Sequence, residues 1–362
     1  MRKIITVVGA RPQFIKAAAV SRVLRQHFHE VLVDTGQHYD YQMAGVFFEE
    51  LEIPRPDVRL AVGSGSHGRQ TGAMMIKLEE VILEEVPDAV MVYGDTNSTL
   101  AGALVASKLH LPLFHVEAGL RSYNKKMPEE INRLLTDHLS TLLFVPTDRA
   151  IQNLKKEGIT QGVSQVGDVM CDAVLHYWAV AADRCCLQDF RVEPKQYYLA
   201  TIHRAENTDN FKLLGAIIRS LLKLDFPVLF PVHPRTRKQL ESIGLLEQIQ
   251  RSSTVRLIEP VSYLEMLFLE KHAKAIITDS GGVQKEAYFA KVPCFTLRNE
   301  TEWVETVDIG WNCLIRPEED LSERMRNMEE LPPYVEGLYG NGRAAEKISQ
   351  EIQQWFEGQD GV

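Results

Sequence analysis

No apolar run in this sequence approaches the ~20 residues that a membrane-spanning helix needs, so insertion into a membrane is not expected. The opening MRKIITVVGARPQ passes from an apolar segment straight into loop chemistry, without the small-residue cleavage site of a secretory leader. A cytoplasmic location is the expectation. Cysteine is scarce: Cys171, Cys185, Cys186, Cys294 and Cys313 are odd in number and contain no C-x-x-C pair, so neither a disulfide framework nor a zinc site is indicated. Positive charge is short as well, with 40 Lys and Arg against 49 Asp and Glu and a formal net charge of −9. Such a balance argues against a nucleic-acid partner, and any anionic ligand must be held by local cations and backbone amides. Gly9 stands without glycine partners after the first apolar run, so the G-x-G-x-x-G dinucleotide fingerprint is missing too.

What the chain does have is a succession of short aliphatic runs, each ending in a polar or glycine-rich loop. At 362 residues, 45% hydrophobic and 25% charged, it suits a soluble globular protein of two domains. Residues 3–8 (KIITVV), 31–33, 89–93, 112–116, 142–145 and 163–166 read as buried strands. Helical spacing at 74–85, 98–109 and 168–183 separates several of them, the pattern of parallel right-handed crossovers. Periodicity is lost over 184–196, which is the expected linker, and a second α/β series follows with strands at 197–202, 228–232 and 275–278. The fold class is therefore α/β with two Rossmann-like domains, at residues 1–184 and 194–341. Residues 342–356 are an amphipathic helix within a last segment, 342–362, that is expected to pack back across both domains.

Chemistry concentrates at the strand ends. Asp95 follows one apolar run, Glu117 ends the next, and Glu129 and Glu130 open a helical segment. In a parallel sheet, strand carboxyl ends and helix amino ends face the same crevice, so these carboxylates can converge and shift one another's pKa, giving one acid and one base. The rival account pairs Glu117 with Arg121 four residues on and leaves Glu129 and Glu130 as ordinary residues of a helix amino terminus. Further along, the strand at 275–278 runs through Asp279 into Ser280, Gly281 and Gly282, whose N–H groups open a helix. That is a seat for a phosphate or diphosphate, with Glu286 about one turn on to accept from ribose hydroxyls, or else a plain helix capped by Ser280. His203 and Arg204, with Glu206 and Asn207 beside them at a strand end, form a site candidate, and His233 is a ligand contact with fewer polar neighbours. Arg11 and Lys16 bracket the first strand-to-helix turn, either as an anion site or as two solvated cations. The stretch 63–68, GSGSHG, is expected to be a mobile loop in which Gly65 and Gly68 free the backbone.

Taken together in order, GARPQFIK at the start, GDT at 94–96, HVEAGLRS at 115–122, PEEINR at 128–133, HRAEN at 203–207 and DSGGVQKEA at 279–287 resemble the non-hydrolysing UDP-N-acetylglucosamine 2-epimerases. The likeness covers nearly the whole chain. It implies a GT-B-type architecture, two Rossmann-like domains facing a central cleft, and a homodimer. It also implies loss of UDP from the anomeric carbon with removal of the C2 proton, then re-addition across a glycal, with neither nicotinamide nor metal. Carried over by motif, Asp95, Glu117 and Glu129 become the acid/base residues and His203 a catalytic or phosphate-contacting one. Arg11 and Lys16 fall near the UDP and the reacting sugar, Ser280 and Gly281 at the diphosphate, and Glu286 at the ribose. The second domain is then the UDP-binding one.

Two departures from the commonest pattern stand out. Gln37-His38-Tyr39-Asp40-Tyr41-Gln42-Met43 replaces the Gln-His-x-x-Met element tied to a regulatory UDP-sugar site. Thr301-Glu302-Trp303-Val304-Glu305 replaces Thr-Glu-Arg-Pro-Glu. With GSGSHGRQTG at 63–72, these resemble the branch that acts on UDP-2,3-diacetamido-2,3-dideoxy-glucuronate. The principal expectation is conversion of UDP-GlcNAc to UDP-ManNAc for cell-surface polysaccharide, and that branch is the alternative substrate. A hydrolysing 2-epimerase, a glycosyltransferase of the same fold and a non-catalytic UDP-sugar sensor are the other rivals.

Overall fold

The structure, a computed structural model, describes residues 1–37, 48, 50–316, 319–327 and 330–360. Gln37 is thus the one described residue of the 37–43 element. The chain forms two compact units, Met1–His176 together with the segment that begins at Glu336, and Tyr177–Val335.

The first unit is built on strands that, at the centre of its sheet, are buried on both faces, the mark of a parallel sheet covered on each side. They are β1 (Lys3–Val8), β2 (His29–Asp34), β3 (Val58–Arg59), β4 (Ala89–Tyr93), β5 (Leu113–Val116), β6 (Leu142–Val145) and β7 (Val163–Gln165). All pair in parallel in the order β3-β2-β1-β4-β5-β6-β7. Ile5, Val7, Val31, Val33, Val90 and Val92 form one core with Met74, Leu78, Ile82 and the helix Asn97–Lys108. The order reverses at β1, with β2 on one side and β4 on the other. Ligands of such sheets bind beyond the strand carboxyl ends at that reversal, here the turns after Val8 and Tyr93.

The second unit repeats the plan with β8 (Tyr198–Thr201), β9 (Val228–Pro231), β10 (Val255–Ile258), β11 (Ala275–Thr278), β12 (Cys294–Thr296) and β13 (Asn312–Leu314). The order is β10-β9-β8-β11-β12-β13, again all parallel. Its reversal lies between β8 and β11, at the turns after Thr201 and Thr278.

One local expectation is overturned. The glycine stretch is a loop only to Ser66: a helix runs over His67–Glu85, with Ser66 at its N-cap, and takes in Gly68 and Gly72. An interior glycine such as Gly72 costs roughly 1 kcal/mol. The helix tolerates it because Gln70, Met74, Leu78 and Ile82, four residues apart, bury one continuous stripe against the sheet.

The last helix, Ala344–Asp360, lies in the first unit. The Asp172 carboxylate accepts from its first amides, Ala344 N at 3.1 Å and Ala345 N at 2.8 Å. Phe356 packs on Phe28 and Phe114 at centroid distances of 6.0 and 6.1 Å, and Arg2 bonds Asp360 at the far end. No helix among the described residues is long and apolar enough to cross a membrane.

Candidate active site

In the first unit, β1 runs through Gly9 and Ala10 into the helix Arg11–Leu24, whose first turn holds Pro12. The Gln13 side chain pins this turn to its neighbour. Its Oε1 accepts from Gly9 N and Ala10 N, both at 3.0 Å, and its Nε2 donates to the Tyr93 carbonyl at 2.7 Å. Arg11 is exposed at the helix start, while Lys16, one turn on, reaches the Glu117 carboxylate.

Glu117 follows β5 in left-handed backbone, φ 70°. A residue with a side chain pays a steric penalty there, of the kind that collects at functional sites. Gly94, at φ 62°, makes the matching turn after β4; a Cβ on it would lie 3.2 Å from Glu117 Oε2. The absence of that atom lets the Glu117 carboxylate lie against the turn that carries Asp95. Asp95 in turn has Oδ2 at 3.1 Å from Arg133 Nη1, and its carbonyl accepts from Asn132 Nδ2 at 2.9 Å. Asp95, Glu117, Lys16 and Arg133 thus gather at the reversal point of the first sheet.

The two neighbouring glutamates separate cleanly. Glu130 is buried, accepts from Ser122 N, Ser122 Oγ and Tyr123 N at 2.9, 3.0 and 2.9 Å, and pairs with Arg133 at 3.1 Å. It closes the loop before its own helix. Glu129 is exposed and has no hydrogen bond or ion pair among the described residues. The local pairing of Glu117 with Arg121 does not form: Lys16 takes Glu117, whereas Arg121 turns inward to Asp137 at 2.7 Å and to Glu157.

In the second unit the pin is a carboxylate. Asp279, fully buried after β11, accepts from His203 N at 3.1 Å, Arg204 N at 3.0 Å and Asn207 Nδ2 at 3.0 Å. His203 Nδ1 lies 3.4 Å from the same carboxylate, and its ring centroid is 6.5 Å from that of His233. Burial, then His203 and Arg235, push the His233 imidazole below its ordinary pKa. Ser280 stands at the N-cap of the helix Gly281–Phe289, but its side chain makes no capping bond. The plain capped helix is therefore not what forms. At Gly281 an added Cβ would sit 2.6 Å from Glu302 Oε1, the far end of a side chain that would have to move aside. Gly282 is exposed beside it. Glu286 is buried and accepts from the Tyr263 hydroxyl at 3.0 Å. Next to it Glu270 is pushed well above the usual carboxyl range, first by burial and then by Glu286. Among the described residues no three His, Cys, Asp or Glu side chains gather into a metal cluster.

A family model described as UDP-N-acetylglucosamine 2-epimerase matches residues 22–353. The chain belongs to this 2-epimerase family. Among relatives, it is 53% identical over 355 residues to the UDP-N-acetylglucosamine 2-epimerase homolog of Methanococcus maripaludis, covering 97% of this chain and 99% of that one. It is 48% identical over 360 residues to the UDP-2,3-diacetamido-2,3-dideoxy-D-glucuronate 2-epimerase of Pseudomonas aeruginosa, again covering 97% and 99%. Among solved structures, the Methanocaldococcus jannaschii UDP-GlcNAc 2-epimerase, in complex with UDP-GlcNAc and UDP, superposes with a TM-score of 0.87 at 43% identity, covering 98% of this chain and all of that one. Within this 2-epimerase family member, sequence reasoning passed over Arg133, Asn132, Asp137 and His115 in the first unit and the Asp279 pin in the second. His115 and Asp279 lie inside motifs read for other residues. Asp137 carries no local signal, since its partners are 16 to 22 residues away in the chain.

Proposed function

We propose that the chain inverts C2 of a UDP-linked 2-acetamido sugar, converting UDP-N-acetylglucosamine to UDP-N-acetylmannosamine without hydrolysis. The observation that carries this reading is the gathering of Asp95, Glu117, Lys16 and Arg133 at a sheet reversal, in a member of the 2-epimerase family. A C2–H has no adjacent carbonyl to acidify it, so its removal is coupled to departure of UDP. A carboxylate takes the C2 proton, the C1–O bond to UDP breaks, and the electron pair becomes the C1=C2 bond of a glycal. Protonation of C2 on the opposite face and return of UDP to C1 complete the inversion, with no net change in redox state.

Asp95, Glu117 and the exposed Glu129 supply the removal and the return of the proton. Lys16 pairs with Glu117 and Arg133 with Asp95, and Lys16 and Arg11 stand by the UDP and the reacting sugar. The diphosphate is received by the N–H groups at Ser280, Gly281 and Gly282, with Arg204 and His233 as cations or donors and His203 as proton donor to the leaving oxygen. Glu286 receives the ribose. The protein works as a cytoplasmic homodimer supplying an activated mannosamine for cell-surface polysaccharide.

A second substrate has its own support: the relative at 48% identity acts, by its name, on UDP-2,3-diacetamido-2,3-dideoxy-D-glucuronate. Proton NMR in deuterium oxide, with each sugar in parallel and no acceptor, tests both. Deuterium at C2 together with a UDP-linked manno product is the expected result, and the faster sugar is the substrate. Free UDP and free amino sugar would point to a hydrolysing enzyme. Binding without C2 exchange would sink the epimerase reading in favour of a transferase or a sensor.

A further inference from the structure

Behind the two carboxylate-bearing turns lies a buried histidine–aspartate contact that the scheme above does not use. His115, the third residue of β5, is fully buried. Its Nδ1 lies 2.7 Å from Asp137 Oδ1 and its Nε2 lies 2.8 Å from the carbonyl oxygen of Gly94. A carbonyl oxygen can only accept, so Nε2 carries a proton. Asp137 is engaged on its other oxygen by Arg121 Nη1 at 2.7 Å and by Gly119 N at 3.1 Å. Burial alone would push this carboxyl up, but His115 and Arg121 outweigh it and hold the group below the ordinary carboxylate range. It is ionised, it too can only accept, and Nδ1 therefore carries a proton as well.

We infer that His115 is a doubly protonated positioning residue that ties the turn carrying Asp95 to the turn carrying Glu117. One ring nitrogen holds Gly94, the residue before Asp95. The other holds Asp137, which in turn holds Gly119, two residues after Glu117. The two turns stand at φ 62° for Gly94 and 80° for Gly119. Through one ion pair they move as a unit. A neutral imidazole offers a single N–H to two acceptors and leaves one of them buried without a partner, which disconnects one turn from the other. That the spacing serves C2 chemistry rests on the 2-epimerase reading; the charge on the ring does not.

The charge is tested on the wild-type full chain labelled with 15N-histidine. Both ring nitrogens of His115 resonate at the protonated position, each coupled to a slowly exchanging proton. A spectrum with one nitrogen at the unprotonated position overturns the proposal. The positioning role is tested by His115→Gln and Asp137→Asn, each followed by C2 exchange in deuterium oxide and by UDP binding. The expected result is a kcat about 10- to 100-fold lower, the size of effect a misplacement near 1 Å produces, with KM within about twofold and UDP affinity unchanged. A folded variant that keeps its kcat, or one that loses UDP binding in step with kcat, overturns the role. Where both variants fail to fold, the nitrogen spectrum of the wild type decides. A wild type that exchanges no C2 proton brings down the 2-epimerase reading and the positioning role together, yet leaves the ring's charge to be read from the same spectrum.

Discussion

The two units share a strand order and a reversal point, yet they hold their central turns together with groups of different charge. In the first, the neutral Gln13 amide spans from the turn after β1 to the end of β4. In the second, the buried Asp279 carboxylate spans from β11 back to the N–H groups of His203 and Arg204. A neutral pin leaves the local field to the residues around it, and there Glu117 and Asp95 each face a cation, Lys16 and Arg133. An anionic pin satisfies three donors, holds the His203 imidazole 3.4 Å away, and leaves the opening amides of a helix for something else. In the proposed function one frame serves proton chemistry in one unit and anion reception in the other, and a handful of side chains at the reversal makes the difference.

Four experiments break or sharpen that contrast. The largest effect is expected for Glu117→Gln, which removes a proposed proton-transfer group from the first unit and leaves the second intact. C2 exchange should fall by about 10²- to 10⁴-fold while UDP still binds, as read by calorimetry. An equal loss of UDP affinity would erase the division of labour.

Next come the pins themselves. Asp279→Ala leaves three donors without their acceptor, at a cost of about 3 kcal/mol. Gln13→Ala breaks only neutral bonds and should cost about half as much. Hydrogen exchange, read separately over each unit, checks the ranking. A larger loss for Gln13→Ala would invert the comparison.

Gly281→Ala drives a methyl group into Glu302 Oε1, so the helix start or Glu302 must shift. UDP affinity should fall by about tenfold, ~1.4 kcal/mol, with C2 exchange at saturating substrate nearly unchanged. The smallest effect concerns pH. Because burial, then His203 and Arg235, hold the His233 pKa low, an arriving diphosphate should raise it. Binding then takes up a proton, and the gain is present at low pH and lost as pH rises through the complex's pKa. UDP should bind about two- to threefold more tightly at pH 6 than at pH 8 through this residue. That increment should vanish in His233→Asn, which also controls for titration of UDP itself.

The strands that carry the site, β1, β4, β5, β8 and β11, were legible because each is a compact aliphatic run cut off by a glycine or a charged residue. So were the positions of Asp95, Glu117, Ser280 and Gly281 at their ends. Partnership was not legible. Spacing offered Arg121 to Glu117, but the fold supplies Lys16 from 101 residues away, because β1 and β5 flank β4 and both present their ends on one side. The helix His67–Glu85 was read seven residues short, since glycine argues for a loop until the buried stripe on the far side is counted. Strands β12 and β13, three residues each, were not read.

The first unit is sewn from two distant lengths of chain: helix Ala344–Asp360 packs on helix Arg11–Leu24, laid down more than three hundred residues earlier, and its Phe356 meets Phe114 of β5. On the ribosome, residues 177–335 emerge as one uninterrupted length, ready to condense as soon as they clear the exit. The sheet begun by β1, by contrast, must wait for its covering helix, roughly ten to forty seconds after its own last strand at usual synthesis speeds. During that interval Phe28 and Phe114 stand uncovered by Phe356. The half of the protein begun first is the half finished last, and nascent-chain chaperones have most to guard there.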